Sequence, residues 1–376
     1  MKILHLLNEL RFSGAEVLLT SAAEELKAGG LSHTIVSMGS TVGEYAPQLE
    51  AAGYKVVHIP FSKSPMFFFR LWAFVRAGRF DGIHIHAERA NFWTALIALT
   101  SARRVVRTLH NAFPFEGNLR RLRGWQRQAL QRMGVIFVAC SDLVRRNEKE
   151  RFGIDARVVW NWMDPGRVRL TTAESRRAAR VRLDIPEDAF CIVSLGNYGP
   201  AKNQQAIVAA VRSCAPDFEV LYLHCGSGGS AFAAATNLSA EDPVRLMGPM
   251  QDIADVLTAS DAFVSASFFE GGQISLLEAG MAGAVCITTK AGLAEEFEGV
   301  PNVVFVEPTA ESLEAGMRAV HSRPLDERLA DAVGISGFVA GNFVPSIGAP
   351  KYVAIYRGMI NEPTSPAVRP STVART

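Results

Sequence analysis

The stretch GIHIHAERANFWTALIALTSARRVVRTLH (82–110) joins two short β-branched runs, GIHIHA and RVVRTLH, through a segment long enough for a helix. Parallel neighbours in a sheet need such a crossover, so this unit reads as strand, helix, strand. The rhythm continues on both sides. KILHLL, HTIVSM and KVVHIP lie upstream, and VIFVAC and RVVWN lie downstream. The series predicts a doubly wound parallel sheet. It falters over 161–187, where WNWMDPGRVR and LDIPEDA bring Pro, Gly and turn-forming acids, so a linker is expected near 164–172. A second series follows in CIVSLG, EVLYLHCG, VRLMG, AFVSAS, AVCITT and NVVFVEP, with helices expected over 203–214 and 274–282.

A chain of 376 residues is longer than single cores usually grow. The expected architecture is α/β with two Rossmann-like domains, 1–165 and 174–345. The apolar spacing of KYVAIYRGMI predicts a helix over 346–361 that packs back on the first domain. The Pro/Ser/Thr-rich end, 362–376, reads as a disordered tail.

Hydrophobic residues make up 48% and charged residues 20%, enough for true cores. The 39 Lys+Arg against 37 Asp+Glu leave a formal charge of +2, so no overall basic field points to nucleic acid. Five widely spaced cysteines in apolar runs read as buried thiols of a reducing, cytoplasmic compartment. Asn8, Glu9 and Arg11 interrupt the first apolar run before a signal-peptide core could finish. No stretch is expected to reach the roughly 18 to 20 apolar residues of a bilayer span, the nearest being broken by Arg70 and Arg76.

Chemistry is expected first in SFFEGGQISLLEAGMAG, where Glu270 and Glu278 stand with seven residues between them. A helix opening near Gln273 and Ile274 would aim free backbone N–H groups into the crevice at the carboxyl ends of the strands. Gly271 and Gly272 would let backbone approach a phosphate or a sugar. Glu270 would then reach a sugar hydroxyl and Glu278, about one and a half turns into the helix, a ribose diol. Spacing alone leaves open two surface carboxylates beside a turn. His84 and His86 are read as alternating along their strand, with His86 a candidate at the rim and His84 structural.

The stretch from VRLMG through AVCITT (244–289) resembles the signature of the retaining GT-B glycosyltransferases called group one, or family four. In that family a loop Glu contacts the donor sugar and a helix Glu the ribose, roles that map onto Glu270 and Glu278. VSLGNYGPAKNQQAIVAAV resembles the segment that holds the donor diphosphate, with Gly196 and Lys202 matching and Asn197 where Arg is usual. An amide lacks the charge and fork of a guanidinium. LHCGSGG resembles the turn near the nucleotide, which implicates Gly226 and Gly228. NELRFSGAE resembles the glycine-rich loop ahead of the first helix, which implicates Gly14. RVVRTLHNAF resembles the strand end whose His sits by the transferred sugar, which is His110 here. Glu295 stands in the place of a further family acid.

The resemblance implies a GT-B cleft and retention of anomeric configuration. It also implies a nucleotide-sugar donor, UDP favoured over GDP, and a glycan, lipid-linked or small-molecule acceptor. Lys202, His110 and Glu270 are the expected catalytic residues. No metal or other cofactor is expected, since no Asp-x-Asp motif or metal-ligand cluster stands out. The first strand is not followed by G-x-G-x-x-G, which argues against a nicotinamide enzyme. A non-catalytic nucleotide-sugar binder and a sugar-nucleotide epimerase remain as alternatives. SPMFFFRLWAFVRAGRF reads as a core helix with snorkelling arginines, whereas NLRRLRGWQRQALQRMG fits a solvated face or an anionic membrane surface equally well.

Overall fold

The computed structural model describes residues 1–88, 90–102, 104–112 and 114–358; the expected tail at 362–376 and the last three residues of the expected final helix lie outside them. The first domain holds seven parallel strands: β1 (Lys2–Leu7), β2 (Ser32–Ser37), β3 (Lys55–His58), β4 (Gly82–Ile85), β5 (Arg104–Leu109), β6 (Ile136–Ala139) and β7 (Arg157–Val158). Their spatial order is β3-β2-β1-β4-β5-β6-β7. The second domain holds β8 (Phe190–Leu195), β9 (Val220–Cys225), β10 (Val244–Gly248), β11 (Ala262–Ser265), β12 (Val285–Thr288) and β13 (Val303–Phe305), in the order β10-β9-β8-β11-β12-β13. Both sheets reverse direction of winding beside their first strand, which opens a crevice at the carboxyl ends. The two-domain GT-B architecture is thus present.

Each strand feeds two layers because successive side chains point to opposite faces. Leu4 and Leu6 of β1 join Ile83, Ile85, Phe67 and Leu71 on one side of the first sheet. Ile3 joins Val106, Val138 and Leu26 on the other. The same division operates in the second domain, with Val193 and Leu223 on one face and Ile192 and Tyr222 on the other.

The chain crosses between domains twice, and the crossings touch: the Met163 N–H donates to Phe343 O at 3.0 Å. Helix Leu325–Asn342 buries Ile335 and Val339 in the second domain. Helix Pro345–Arg357 then buries Ala349, Tyr352 and Tyr356 against the first. Gly348 is needed there, because a Cβ would stand 2.1 Å from the Trp162 ring.

Two expectations are corrected here. The segment Leu325–Arg357 is long and apolar enough, by length and composition, to cross a membrane, although no such stretch was expected. Residues 332–350 carry no charge, but Gly, Ser, Asn and Pro dilute the apolar run and hide it from a reading that looks for continuous hydrophobes. Its two helices part at Phe343 and Val344, and their apolar faces serve the two domain cores. The second correction concerns His84 and His86. Residues two apart on a strand share a face, so both rings lie on the side under the final helix, with centroids 3.9 Å apart.

Candidate active site

Strand β11 ends at Ser265, and the loop after it leads into helix Ile274–Met281. This loop is pinned by the Phe268 N–H donating to Ala201 O at 2.9 Å and by Thr289 Oγ1 donating to Ser267 O at 2.7 Å. Glu270 accepts from Ser267 Oγ at 2.9 Å and forms an ion pair with Lys202. Lys202 closes the short turn Pro200–Lys202 after β8. The carboxylate is 12% exposed and the ammonium 34%, so the cation is the partner free to turn toward an arriving anion.

Behind Lys202, the loop from β8 is packed onto the loop from β9. The Gly196 N–H donates to Cys225 O at 2.8 Å and the Tyr198 N–H to Ser227 O at 2.9 Å. Gly226 is required because a Cβ would stand 2.1 Å from Gly196 O. Gly196 and Gly228 have φ of 134° and 89°, both in the region that favours glycine. Asn197 Oδ1 accepts from the Ser227 N–H at 3.0 Å, so this side chain braces the turn. The amide that stands where a guanidinium was expected is thus used within the protein.

Glu278 lies on the helix that follows Glu270 and is buried. It pairs with Arg167, which sequence reading left inside the linker. Arg167 also donates to Gln251 O at 2.9 Å, and its guanidinium carbon sits 5.2 Å from the Phe12 ring centroid. Burial pushes the Glu278 carboxyl up to about 7, against the downward pull of Arg167. Both candidate acids therefore carry a cation of their own.

The first domain meets this helix at Gly14, where a Cβ would lie 3.5 Å from Ile274 Cδ1. Asn111 and Gly271 form an antiparallel bridge across the cleft. A Cβ on Gly271 would stand 1.9 Å from His110 O, and one on Gly272 would stand 2.2 Å from Asn161 Nδ2. Asn161 Nδ2 in turn donates to Gly272 O at 2.8 Å. These glycines let one domain's backbone approach the other's, a role their spacing did not announce. Gln273 turns its side chain inward, with Nε2 3.4 Å from Ser265 Oγ, which leaves only its backbone toward the cleft. His110 Nε2 lies 3.1 Å from His86 Nδ1, and burial brings the His110 ring down to about 4, so it is neutral. Glu295 forms an inter-domain ion pair with Arg146.

Comparison with known proteins decides the family. Residues 12–167 match the model described as Glycosyltransferase Family 4, and residues 189–322 match Glycosyl transferases group 1. The chain belongs to these glycosyltransferases. A phosphatidyl-myo-inositol mannosyltransferase of Mycolicibacterium smegmatis is 24% identical over 290 residues, covering 73% of this chain and 72% of that protein. An N-acetyl-alpha-D-glucosaminyl L-malate synthase of Bacillus anthracis is 23% identical over 232 residues. That match covers 60% of this chain and spans 58% of the length of the Bacillus protein. Among solved structures, Anabaena HepE in complex with UDP and glucose superposes with a TM-score of 0.81 at 19% identity, covering 95% of this chain and all (100%) of that one.

Within this glycosyltransferase, Lys202 and Glu270 come together directly, and Gly196, Asn197, Gly226 and Gly228 form one packed turn region behind them. Gly14, Ile274, His110 and Gly271 lie where the domains touch, and Glu278 is on the helix that Ile274 opens, paired with Arg167 of the linker. Arg167, Ser267 and Asn161 were missed. The partners of Arg167 and Asn161 lie 111 residues away, beyond any spacing rule, whereas Ser267 stands three residues before Glu270 and could have been found as its neighbour.

Proposed function

We propose that this glycosyltransferase moves a sugar from a nucleoside diphosphate-sugar, UDP favoured over GDP, to a hydroxyl acceptor with retention of configuration. The observation that carries the reading is the Lys202–Glu270 ion pair at the carboxyl ends of the second sheet, beside the helix N-terminus at Ile274. The donor's diphosphate draws the ammonium away, and the freed carboxylate accepts hydrogen bonds from the sugar. Lys202 and the first-turn amides then meet the negative charge that grows as the bond from C1 to phosphate oxygen breaks. The acceptor oxygen attacks C1 from the same face, and its proton passes to the departing phosphate. His110 and Glu270 hold the sugar, and Glu278 receives the ribose hydroxyls. Glu270 and Glu278 are each already matched to a protein cation, which favours a reaction that assigns no role to a metal ion at these two acids.

Acceptor chemistry is suggested by the first domain. Helices Pro65–Gly78, Asn91–Leu99 and Gly117–Arg132 pack side by side. They leave Phe69, Trp72, Trp93 and Trp125 exposed among Arg70, Arg76, Arg120 and Arg121. A cavity of about 320 Å³ lies among them, lined by Phe68, Phe92, Trp93, Lys63 and Arg123. Aromatic walls with cations suit a lipid-linked or glycan acceptor and peripheral contact with an anionic membrane at its cytoplasmic face.

Thermal shift against UDP, GDP and ADP tests the donor site. A ligand at a hundredfold its Kd stabilises by about 2.7 kcal/mol. Stabilisation by UDP that Lys202→Ala abolishes supports the proposal, and indifference of both proteins to all three nucleotides overturns it. A second reading, a binder without turnover, is favoured by Asn197 being tied to Ser227. Release of UDP from a UDP-sugar in the presence of acceptor separates the two.

A further inference from the structure

A row of imidazoles crosses the first sheet beneath the final helix. His33 on β2, His5 on β1, His86 after β4 and His110 after β5 form one hydrogen-bonded chain. His33 Nδ1 lies 2.8 Å from His5 Nε2, His5 Nδ1 lies 3.0 Å from His86 Nε2, and His86 Nδ1 lies 3.1 Å from His110 Nε2. Every link therefore joins a Nδ1 to a Nε2. The period of two along each strand, and the registers Ile3 to His33 and His5 to His84, put the rings on one face.

His5, His84 and His86 have ligand atoms within 4.8 Å of one another, as a metal site would. All six of their ring nitrogens are already engaged: His84 with Tyr356 OH at 2.6 Å and Thr108 Oγ1 at 2.7 Å, and the other two within the chain. No lone pair is left over for an ion. The chain itself has a different property.

A neutral imidazole has one donor and one acceptor nitrogen. Burial lowers all four rings below the ordinary histidine value, so all are neutral near pH 7. Each link needs one donor and one acceptor. Once one ring is assigned, the other three follow. Only two arrangements satisfy every link: all four rings protonated at Nδ1, or all four at Nε2. Passing from one to the other moves a proton across each of the three links and requires one proton to enter at one end and one to leave at the other.

We infer that His33, His5 and His86 are positioning residues that fix, through this chain, which nitrogen of His110 carries its proton at the cleft. The far end selects the state. His33 Nε2 is buried and has no partner among the described residues. Protonated, it would be an orphaned buried N–H, one of the rarest features of folded proteins; bare, it is an unpaired acceptor. The chain therefore rests with every ring protonated at Nδ1. His110 accepts from His86 at Nε2 and presents Nδ1–H, which has no partner among the described residues, as a donor. The consequence for turnover rests on the reading that His110 faces the donor sugar, whereas the coupling itself does not.

Long-range ¹H–¹⁵N correlation spectra of the ¹⁵N-histidine protein distinguish the two tautomers ring by ring. The wild-type protein is expected to show His33, His5, His86 and His110 all protonated at Nδ1. One ring of the four in the opposite tautomer overturns the proposal, and this measurement needs no variant to fold. His33→Glu places an acceptor against His5 Nε2 and is expected to switch His110, three rings away, to Nε2–H. His5 switched while His110 stays protonated at Nδ1 overturns the coupling. In the additional variant His86→Leu, His110 should no longer follow residue 33. In His33→Glu, turnover of a UDP-sugar should fall about tenfold or more while UDP affinity stays within about twofold, because the diphosphate contacts lie on the other domain. A switched His110 with unchanged turnover retains the relay and removes His110 from the sugar site.

Discussion

Gly271 lies so close to His110 that a Cβ on it would stand 1.9 Å from the histidine's carbonyl oxygen and 2.9 Å from Cys140 Sγ. Both atoms belong to the first domain, whereas Gly271 belongs to the second. The cleft therefore closes at a backbone-to-backbone contact between the loops that carry His110 and Glu270. Gly271→Ala must push the domains apart or bend both loops, since neither a carbonyl nor a buried sulfur can yield like a flexible side chain. Overpacking of this kind costs about 1 to 3 kcal/mol. A lowered Tm and a larger radius of gyration by small-angle scattering are expected, with loss of transfer activity. Gly199→Ala, in extended backbone with nothing within 4 Å of its Cβ position, is the control and should behave as wild type.

Lys202 has a different kind of dependence. In Lys202→Ala the largely covered Glu270 keeps Ser267 but loses its counter-charge, and under the proposed mechanism the departing diphosphate loses an ammonium. Removing one preorganised charge partner of a transition state lowers kcat by about 10² to 10³. Steady-state kinetics should show that loss in kcat rather than a rise in KM alone. An unchanged kcat removes Lys202 from the leaving-group role.

The strands were legible because both series of β-branched runs carry the parallel-sheet rhythm, and all thirteen appear where those runs lie. That Lys202 and Glu270 belong together was legible because both stand in segments that resemble motifs of a known family; spacing alone left Glu270 open. Arg167 was not: it sits among Pro, Gly and Asp, the composition of a linker, and acquires its role only when the fold brings Glu278 and Phe12 to it. The histidine row was half visible, in GIHIHA, but His33 and His5 lie on two other strands. Only strand order puts them side by side.

The exposed aromatics of the first domain make a prediction about surfaces. Helix Pro65–Gly78 was expected to be a core helix, and Phe67, Leu71 and Val75 do face the core, yet Met66, Phe69 and Trp72 face solvent. Trp125 continues that surface beside Arg120 and Arg121. In flotation with vesicles the protein should bind those containing anionic lipid and release them as salt rises, because screening shortens the reach of the arginines. Arg120→Glu with Arg121→Glu should weaken this binding by about 1 kcal/mol or more per charge. Equal binding to neutral vesicles, or none to either, rules out the electrostatic contact.

Stability should also depend on pH through Glu278. Burial raises its folded-state value to about 7, above the ordinary range near 4.5. Between those values the folded protein holds a proton that the unfolded chain has released. The contribution is therefore fully present below the unfolded value and is lost as pH rises through about 7. A displacement of this size corresponds to roughly 3 kcal/mol at most. Thermal unfolding between pH 5 and 8 should show wild-type stability falling with pH and Glu278→Gln falling less. Arg167→Ala should steepen the fall and extend it to higher pH, because the one cation drawing the carboxyl downward is gone. Parallel pH profiles for wild type and Glu278→Gln contradict a proton held at this site, and would mean that Arg167 keeps the carboxylate ionised throughout.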